Sequence, residues 1–148
     1  MAAYVTKHVL AAAANKPHTM LAGSASIIVQ IHDIFISSRD APADNQYEYD
    51  ILRITGVGTG GTAITPEPVT GYGATPSATI KGGTFTTDPT IAGTGLQPLI
   101  FNHRASLRVP MVPGYELRSK PAASNGLVLQ CITAGGSANI VASTGYSE

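Results

Sequence analysis

Three glycines, Gly56, Gly58 and Gly61, stand at the spacing G-x-G-x-x-G directly after the alternating run Asp50 to Thr55. A dinucleotide site uses that spacing because a helix amino terminus must meet the pyrophosphate there across a close-packed backbone. The helix is missing from the pattern. Thr62-Ala63-Ile64-Thr65-Pro66-Glu67-Pro68 is rich in Thr and broken by prolines, which predicts extended chain, and the lysine of a phosphate-binding P-loop is absent. Histidines offer a second chemistry. His8, His18, His32 and His103 are scattered, with none at the i, i+4 spacing that sets two imidazoles on one helix face for zinc. His32 and Asp33 are adjacent, so on a strand they point to opposite faces. A triad can be written from His32, Asp50 and Ser106, but triads are identified by geometry, and no nucleophile-elbow sequence accompanies these residues. No catalytic, cofactor-binding or metal-ligating residue is assigned, no cofactor is expected, and the chain is read as non-enzymatic.

The single cysteine, Cys131, excludes an intrachain disulfide and a four-cysteine metal site. It lies in the apolar run Leu127-Val128-Leu129-Gln130-Cys131-Ile132, where a buried small hydrophobe is preferred over a reactive thiol. Arg104, Arg108, Arg118 and Lys120 gather in the carboxy-terminal third without interleaved aromatics, which reads as a solvated or partner-facing sheet edge before a nucleic-acid surface. Tyr47, Tyr49, Tyr72, Tyr115 and Tyr146 suit either a carbohydrate platform or packing, and with no Trp in the chain packing is preferred.

These residues need elements to hold them, and the pattern is of strands. Met1 to Asn15 admits a short helix, from Ala11 to Ala14, or an extended arm, from Val5, Thr6 and Val9. Ser26 to Ile36 is apolar on both faces, with Ile27, Val29, Ile31 and Phe35 on one and Ile28, Ile34 and Ile36 on the other, which predicts burial on two sides, in the middle of a sandwich or under a second subunit. In Gln46 to Thr55 the apolar set passes from Tyr47, Tyr49 and Ile51 to Leu52 and Ile54, which predicts a β-bulge near Ile51. Residues 56–95 hold 11 Thr, 10 Gly and 4 Pro with only Glu67, Lys81 and Asp88 charged, so short β pieces such as Thr62 to Thr65 and Ala78 to Lys81 are expected between long loops. Leu99 to Phe101, Ser106 to Val109 and Asn139 to Ser143 read as further strands. Pro113-Gly114 suits a type II turn, and Asn125-Gly126 a two-residue hairpin turn joining Glu116 to Ser119 with Leu127 to Thr133. Eight or nine short strands between Gly, Pro and Asn punctuation predict an all-β fold: an antiparallel β-sandwich, jelly-roll-like, with an N-terminal arm or short helix. The expected organisation is an arm over 1–20 and one sandwich domain over 21–148 with a Thr/Gly/Pro-rich loop region at 56–95.

Composition narrows the partners. Charged residues are 12% of the 148, about half the common share of roughly a quarter, and the polar remainder is largely Ser, Thr, Asn, Gln and Gly. Such a surface suits contact with protein. Nine Lys plus Arg balance nine Asp plus Glu, which leaves no footprint for nucleic acid or an anionic membrane. Val9 to Ala14 is shorter than the roughly 7–15 residues of a signal-peptide core, and the uncharged 121–147 is interrupted by polar residues, so neither secretion nor a membrane span is expected.

The strand Asp50-Ile51-Leu52-Arg53-Ile54-Thr55, the element Gly60-Gly61-Thr62-Ala63-Ile64-Thr65-Pro66, an Ala/Thr/Gly-rich excursion and a late Val112-Pro113-Gly114-Tyr115-Glu116-Leu117 follow one another in this order. Over about Ser26 to Thr133 that order resembles small tailed-phage virion proteins of the capsid decoration, or cement, type. The resemblance implies a β-sandwich or jelly roll that oligomerises, often as a homotrimer, on the outside of a phage head, with the major capsid protein as partner. It implies a virion location after synthesis in the host cytoplasm, and it transfers no catalytic residue. The His8 to Met20 leader and the shorter middle excursion depart from the pattern. On this reading, removing Met1 to Met20 should spare the fold and weaken attachment. A tail, head-fibre or host-binding virion module and a cellular β-sandwich ligand-binding module remain as alternative readings.

Overall fold

The alternation of apolar and polar residues becomes strand almost throughout. The computed structural model describes residues 2–41, 43–71 and 74–148, and among these it contains thirteen β segments and no helix. In chain order they are β1 (Ala3–Ala11), β2 (Lys16–Ala22), β3 (Gln30–Ser38), β4 (Gln46–Gly56), β5 (Thr59–Ala63), β6 (Glu67–Pro68), β7 (Thr79–Thr87), β8 (Thr90–Ile91), β9 (Gln97–Asn102), β10 (Ser106–Pro110), β11 (Leu117–Arg118), β12 (Gly126–Ala134) and β13 (Asn139–Ser147).

The pairings are antiparallel and nested. β1 pairs with β13, β2 with β12, β3 with β10 and β4 with β9, so the chain forms one long double strand with residues 57–96 at its tip. That double strand is rolled: β13 also pairs with β3, and β12 with β4. Two sheets result, β10-β3-β13-β1-β6 with β11 beside β3, and β5-β7-β2-β12-β4-β8 with β9 beside β4. Eight strands nested in this way are a jelly roll.

Between the sheets lie Tyr4, Ile31, Ile34, Ile36, Ile140 and Tyr146 from the first, and Leu21, Tyr49, Ile51, Leu99, Leu127 and Leu129 from the second. Each is at most 1% exposed, and burying such a side chain stabilises the fold by roughly 1.5–3 kcal/mol.

Local departures from simple alternation decide which residues enter that core. In β3, Asp33 faces Gly145 but Ile31 faces Tyr146, so His32 is an extra residue, and the bulge reverses the phase of the strand. Ile31, Ile34 and Ile36 therefore all point inward, while Phe35 and Ile28 are 36% and 41% exposed. Within the single chain only one face of this segment is buried, and its first residues are loop.

In β4 the reverse holds. Its register with β12 runs unbroken from Ile54 opposite Gly126 to Tyr49 opposite Cys131, so no bulge lies near Ile51. Leu52 and Ile54 instead enter a second cluster with Met20, Ala22, Phe85 and Val128 on the far face of the sheet. That face is covered because β4 continues into β5 and β7 into β8, with β5 on β7 and β8 on β4. The resulting bent ladder joins the two edges of the sheet and carries Phe85 over it.

The amino-terminal expectations are corrected too. Among the described residues no helix is present, and the extended segment is not a free arm: β1 lies between β13 and β6, and β2 between β7 and β12. The boundary expected at residue 20 falls inside β2. Among the turns, Pro113-Gly114 is as expected, with Gly114 at φ +92° and the Tyr115 N–H donating to the Val112 carbonyl at 2.9 Å. Asn125-Gly126 is not a hairpin turn, because β11 belongs to the first sheet and β12 to the second. Gly126 is needed for close approach instead, since a β-carbon there would strike the Leu21 carbonyl.

Candidate functional site

A jelly roll gathers its connections at two ends, and here the two ends differ in chemistry. Residues 12–15, 39–45, 103–105 and 135–138 connect strands at one end, which is stitched by polar contacts. The Asp40 carboxylate accepts from the Asn139 backbone N–H at 2.6 Å and from its Nδ2 at 3.0 Å, and these bonds hold the Asp40 carboxyl below its ordinary range. Arg104 Nε donates to Asp44 at 2.7 Å.

At the opposite end lie residues 23–29, the segment around Val69 and residues 111–125, while the β5/β7 part of the insertion crosses the outer face of the second sheet. They present apolar side chains to solvent: Tyr115 is 80% exposed, Val112 65%, Val69 64% and Ile28 41%. Backbone hydrogen bonds fix two of these loops, with Val69 N–H donating to the Ala3 carbonyl at 2.9 Å and Met111 N–H to the His32 carbonyl at 2.7 Å. The Gly114 N–H donates to Glu116 Oε2 at 2.9 Å, which lowers the Glu116 carboxyl and holds the turn that displays Tyr115.

A cavity of about 340 Å³ lies where the bent ladder crosses the body of the sandwich. The β2–β7 ladder stops at Thr19 opposite Gly82, and β7 then leaves its neighbour. Leu10, Ala11, Ala13 and Pro17 line it from one segment and Gly83, Thr84 and Phe85 from the other, and the partly exposed Lys16 and Asp88 stand at its mouth. Lys16 Nζ and Asp88 Oδ2 are 2.8 Å apart.

The residues weighed for chemistry are not brought together. Gly56 ends β4, Gly58 lies in the connection, and Gly61 lies in β5, so the glycine spacing leads into a strand and no phosphate-binding helix follows. His32 Nε2 lies 2.6 Å from Ser147 Oγ, whereas Asp50 in the other sheet accepts from the Gln97 N–H at 3.1 Å and Ser106 stands opposite Ser37. The triad does not exist. Among the described residues, no group of three or more His, Cys, Asp or Glu side chains is arranged to hold a metal ion.

Folding does join two histidines that looked unrelated. The His8 and His18 rings meet edge to face at 5.4 Å. His18 is 1% exposed, and its Nε2 lies 3.0 Å from the Ile140 carbonyl and its Nδ1 2.8 Å from the Thr19 hydroxyl. The carbonyl requires a proton on Nε2, so Nδ1 accepts from Thr19. Burial pushes His18 down to about 4, which keeps it neutral at pH 7. Enclosed in this way, it serves packing and cannot reach a substrate.

Cys131 is buried, as its apolar run indicates, and burial pushes its thiol up. Tyr47, Tyr49 and Tyr146 are core residues, Tyr115 stands alone on the surface, and Tyr72 lies outside the described residues. The basic residues are dispersed and mostly paired: Arg104 with Asp44, Arg108 with Asp33 at 3.0 Å and Arg118 with Glu116 at 3.7 Å. Sequence reasoning missed the cavity and the apolar loop end, because both depend on segments far apart in the chain. The one available signal was the scarcity of charge in 56–95.

Comparison with protein-family models, with curated proteins and with solved structures finds no match for this chain.

Proposed function

We propose that this chain is a structural virion protein that binds the outside of a tailed-phage capsid and stabilises it. The observation that carries the reading is the asymmetry of the jelly roll. One end is closed by polar contacts, while the other displays Tyr115, Val112, Val69 and Ile28 to solvent. An exposed tyrosine is a common anchor residue for a protein surface, and exposed aliphatic groups add apolar contact area around it. A capsid offers many equivalent copies of that surface, so modest individual contacts give a stable coat.

The fold supports the proposal only generally, since jelly rolls also serve lectins and cupins. Self-association, as a homotrimer, belongs to the same proposal. The outer face of the first sheet supports it, with Phe35 and Val5 at 36% and 37% exposure. The partners are then the major capsid protein and further copies of this chain, at the virion surface.

The test is add-back to purified phage heads lacking the protein, with head rupture on heating as the readout. The wild type should raise the rupture temperature and appear on the shell in many copies. A Tyr115→Ser, Val112→Ser double variant should keep its fold and lose this effect. Heads that neither bind nor gain stability from the wild type would refute the assignment. Binding to host-cell glycans instead would favour the tail or host-binding alternative.

A further inference from the structure

We propose that the cavity under the bent β4–β5/β7–β8 ladder is a binding site for a small, uncharged amphiphile. Its ligand has an apolar body of one or two rings and a single alcohol or phenol head. This proposal is independent of capsid attachment.

The size comes first. At about 340 Å³ the cavity lies near the lower bound of roughly 300–1,000 Å³ for small-molecule sites, which suits a fused bicyclic ring. The walls come second. Leu10, Ala13, Pro17 and Phe85 supply carbon surface, and no charged side chain lines the cavity except at the mouth. Thr84 is the one uncharged polar side chain in the lining, so a sugar, with hydroxyls on every side, would find few partners there.

The head group follows from the pair at the mouth. Lys16 and Asp88 are 2.8 Å apart and keep 59% and 37% of their side-chain exposure, so together they present no net charge. An anion arriving there meets Asp88 as well as Lys16, and a cation meets Lys16 as well as Asp88. A hydroxyl meets neither objection: it accepts from the ammonium, which has three N–H donors, and donates to the carboxylate, which has two acceptor oxygens. The ladder geometry keeps the space open, because β7 departs from β2 after Gly82 and the ion pair fixes the far side of the opening.

The chain contains no Trp, so indole fluorescence excited beyond tyrosine absorption reports a bound indole without background. The probe is 2-(indol-3-yl)ethanol, titrated with the purified full chain. A saturable, one-to-one blue shift with a dissociation constant below about 1 mM is expected. Tryptamine and indole-3-acetate, which carry the same ring on charged heads, should bind at least about tenfold more weakly. Ala13→Phe and Ala11→Phe place a ring at the cavity from exposed positions, and each should abolish the shift while keeping the wild-type melting temperature. Absence of saturation with the wild type, or undiminished binding by either folded variant, would overturn the site. Equal binding of the three indoles would overturn the head-group assignment.

Discussion

Buried His18 should make this protein less stable in mild acid, by an amount that can be worked out. The imidazole is neutral in the folded chain, with its value lowered from 6.5 to about 4, first because burial penalises the charged form. The unfolded chain therefore binds a proton as pH falls below 6.5, while the folded chain does not until about 4. A depressed histidine thus leaves stability intact above 6.5 and removes it progressively between 6.5 and 4. Linkage gives a loss of about 2 kcal/mol from pH 8 to pH 5, and about 3 kcal/mol by pH 4. For a chain of this size the first figure lowers the melting temperature by about 4–8 °C.

His8, edge-on to His18, is also lowered by burial and adds to the loss with the same sign. The variant that isolates His18 is His18→Gln, whose amide can still donate to the Ile140 carbonyl. The assay is urea unfolding at pH 8 and pH 5, followed by far-ultraviolet circular dichroism since the chain has no Trp. The variant should lose stability at both pH values but show most of the pH-dependent component removed. An unchanged difference between pH 8 and pH 5 in the variant would refute the reasoning.

Three further outcomes follow from the packing. Removing residues 1–15 deletes β1 from between β13 and β6, so the truncated chain should show no cooperative melting transition. Ile34→Ala should cost about 2–5 kcal/mol and Phe35→Ala less than about 1 kcal/mol, because the His32 bulge turns Ile34 inward; equal losses by urea unfolding would place the bulge elsewhere. Gly126→Ala should cost about 1–3 kcal/mol in the same assay, since its methyl group would strike the Leu21 carbonyl; a neutral result would mean that the ladder adjusts.

Composition and local chemistry were legible without the fold. Scarce charge, abundant Thr and Gly, and period-two alternation in β4 require strands, because such segments bury one face of a pleat more readily than one stripe of a helix. Pro113-Gly114 specified its turn, since proline sets one backbone angle and glycine permits the next. Cys131 sat in an apolar run and is buried.

What the chain could not show locally is who pairs with whom. Turn signals around Asn125-Gly126 suggested neighbouring strands in one sheet, yet consecutive strands of a jelly roll pass between sheets and pair with partners far away in sequence. The β3 bulge is likewise visible only opposite β13, where Gly145 and Tyr146 set the register that turns Phe35 out and Ile34 in. The amino-terminal strand looked like an arm because Ala11 to Ala14 and the polar residues of β1 carry little hydrophobic signal of their own. Its place is secured by nine backbone pairings with β13, a stabilisation that belongs to the partner strand as much as to β1. The cavity and the apolar loop end arise the same way. Both are assembled from segments that only the rolled topology brings together, whereas strand alternation and turn chemistry act within a few residues.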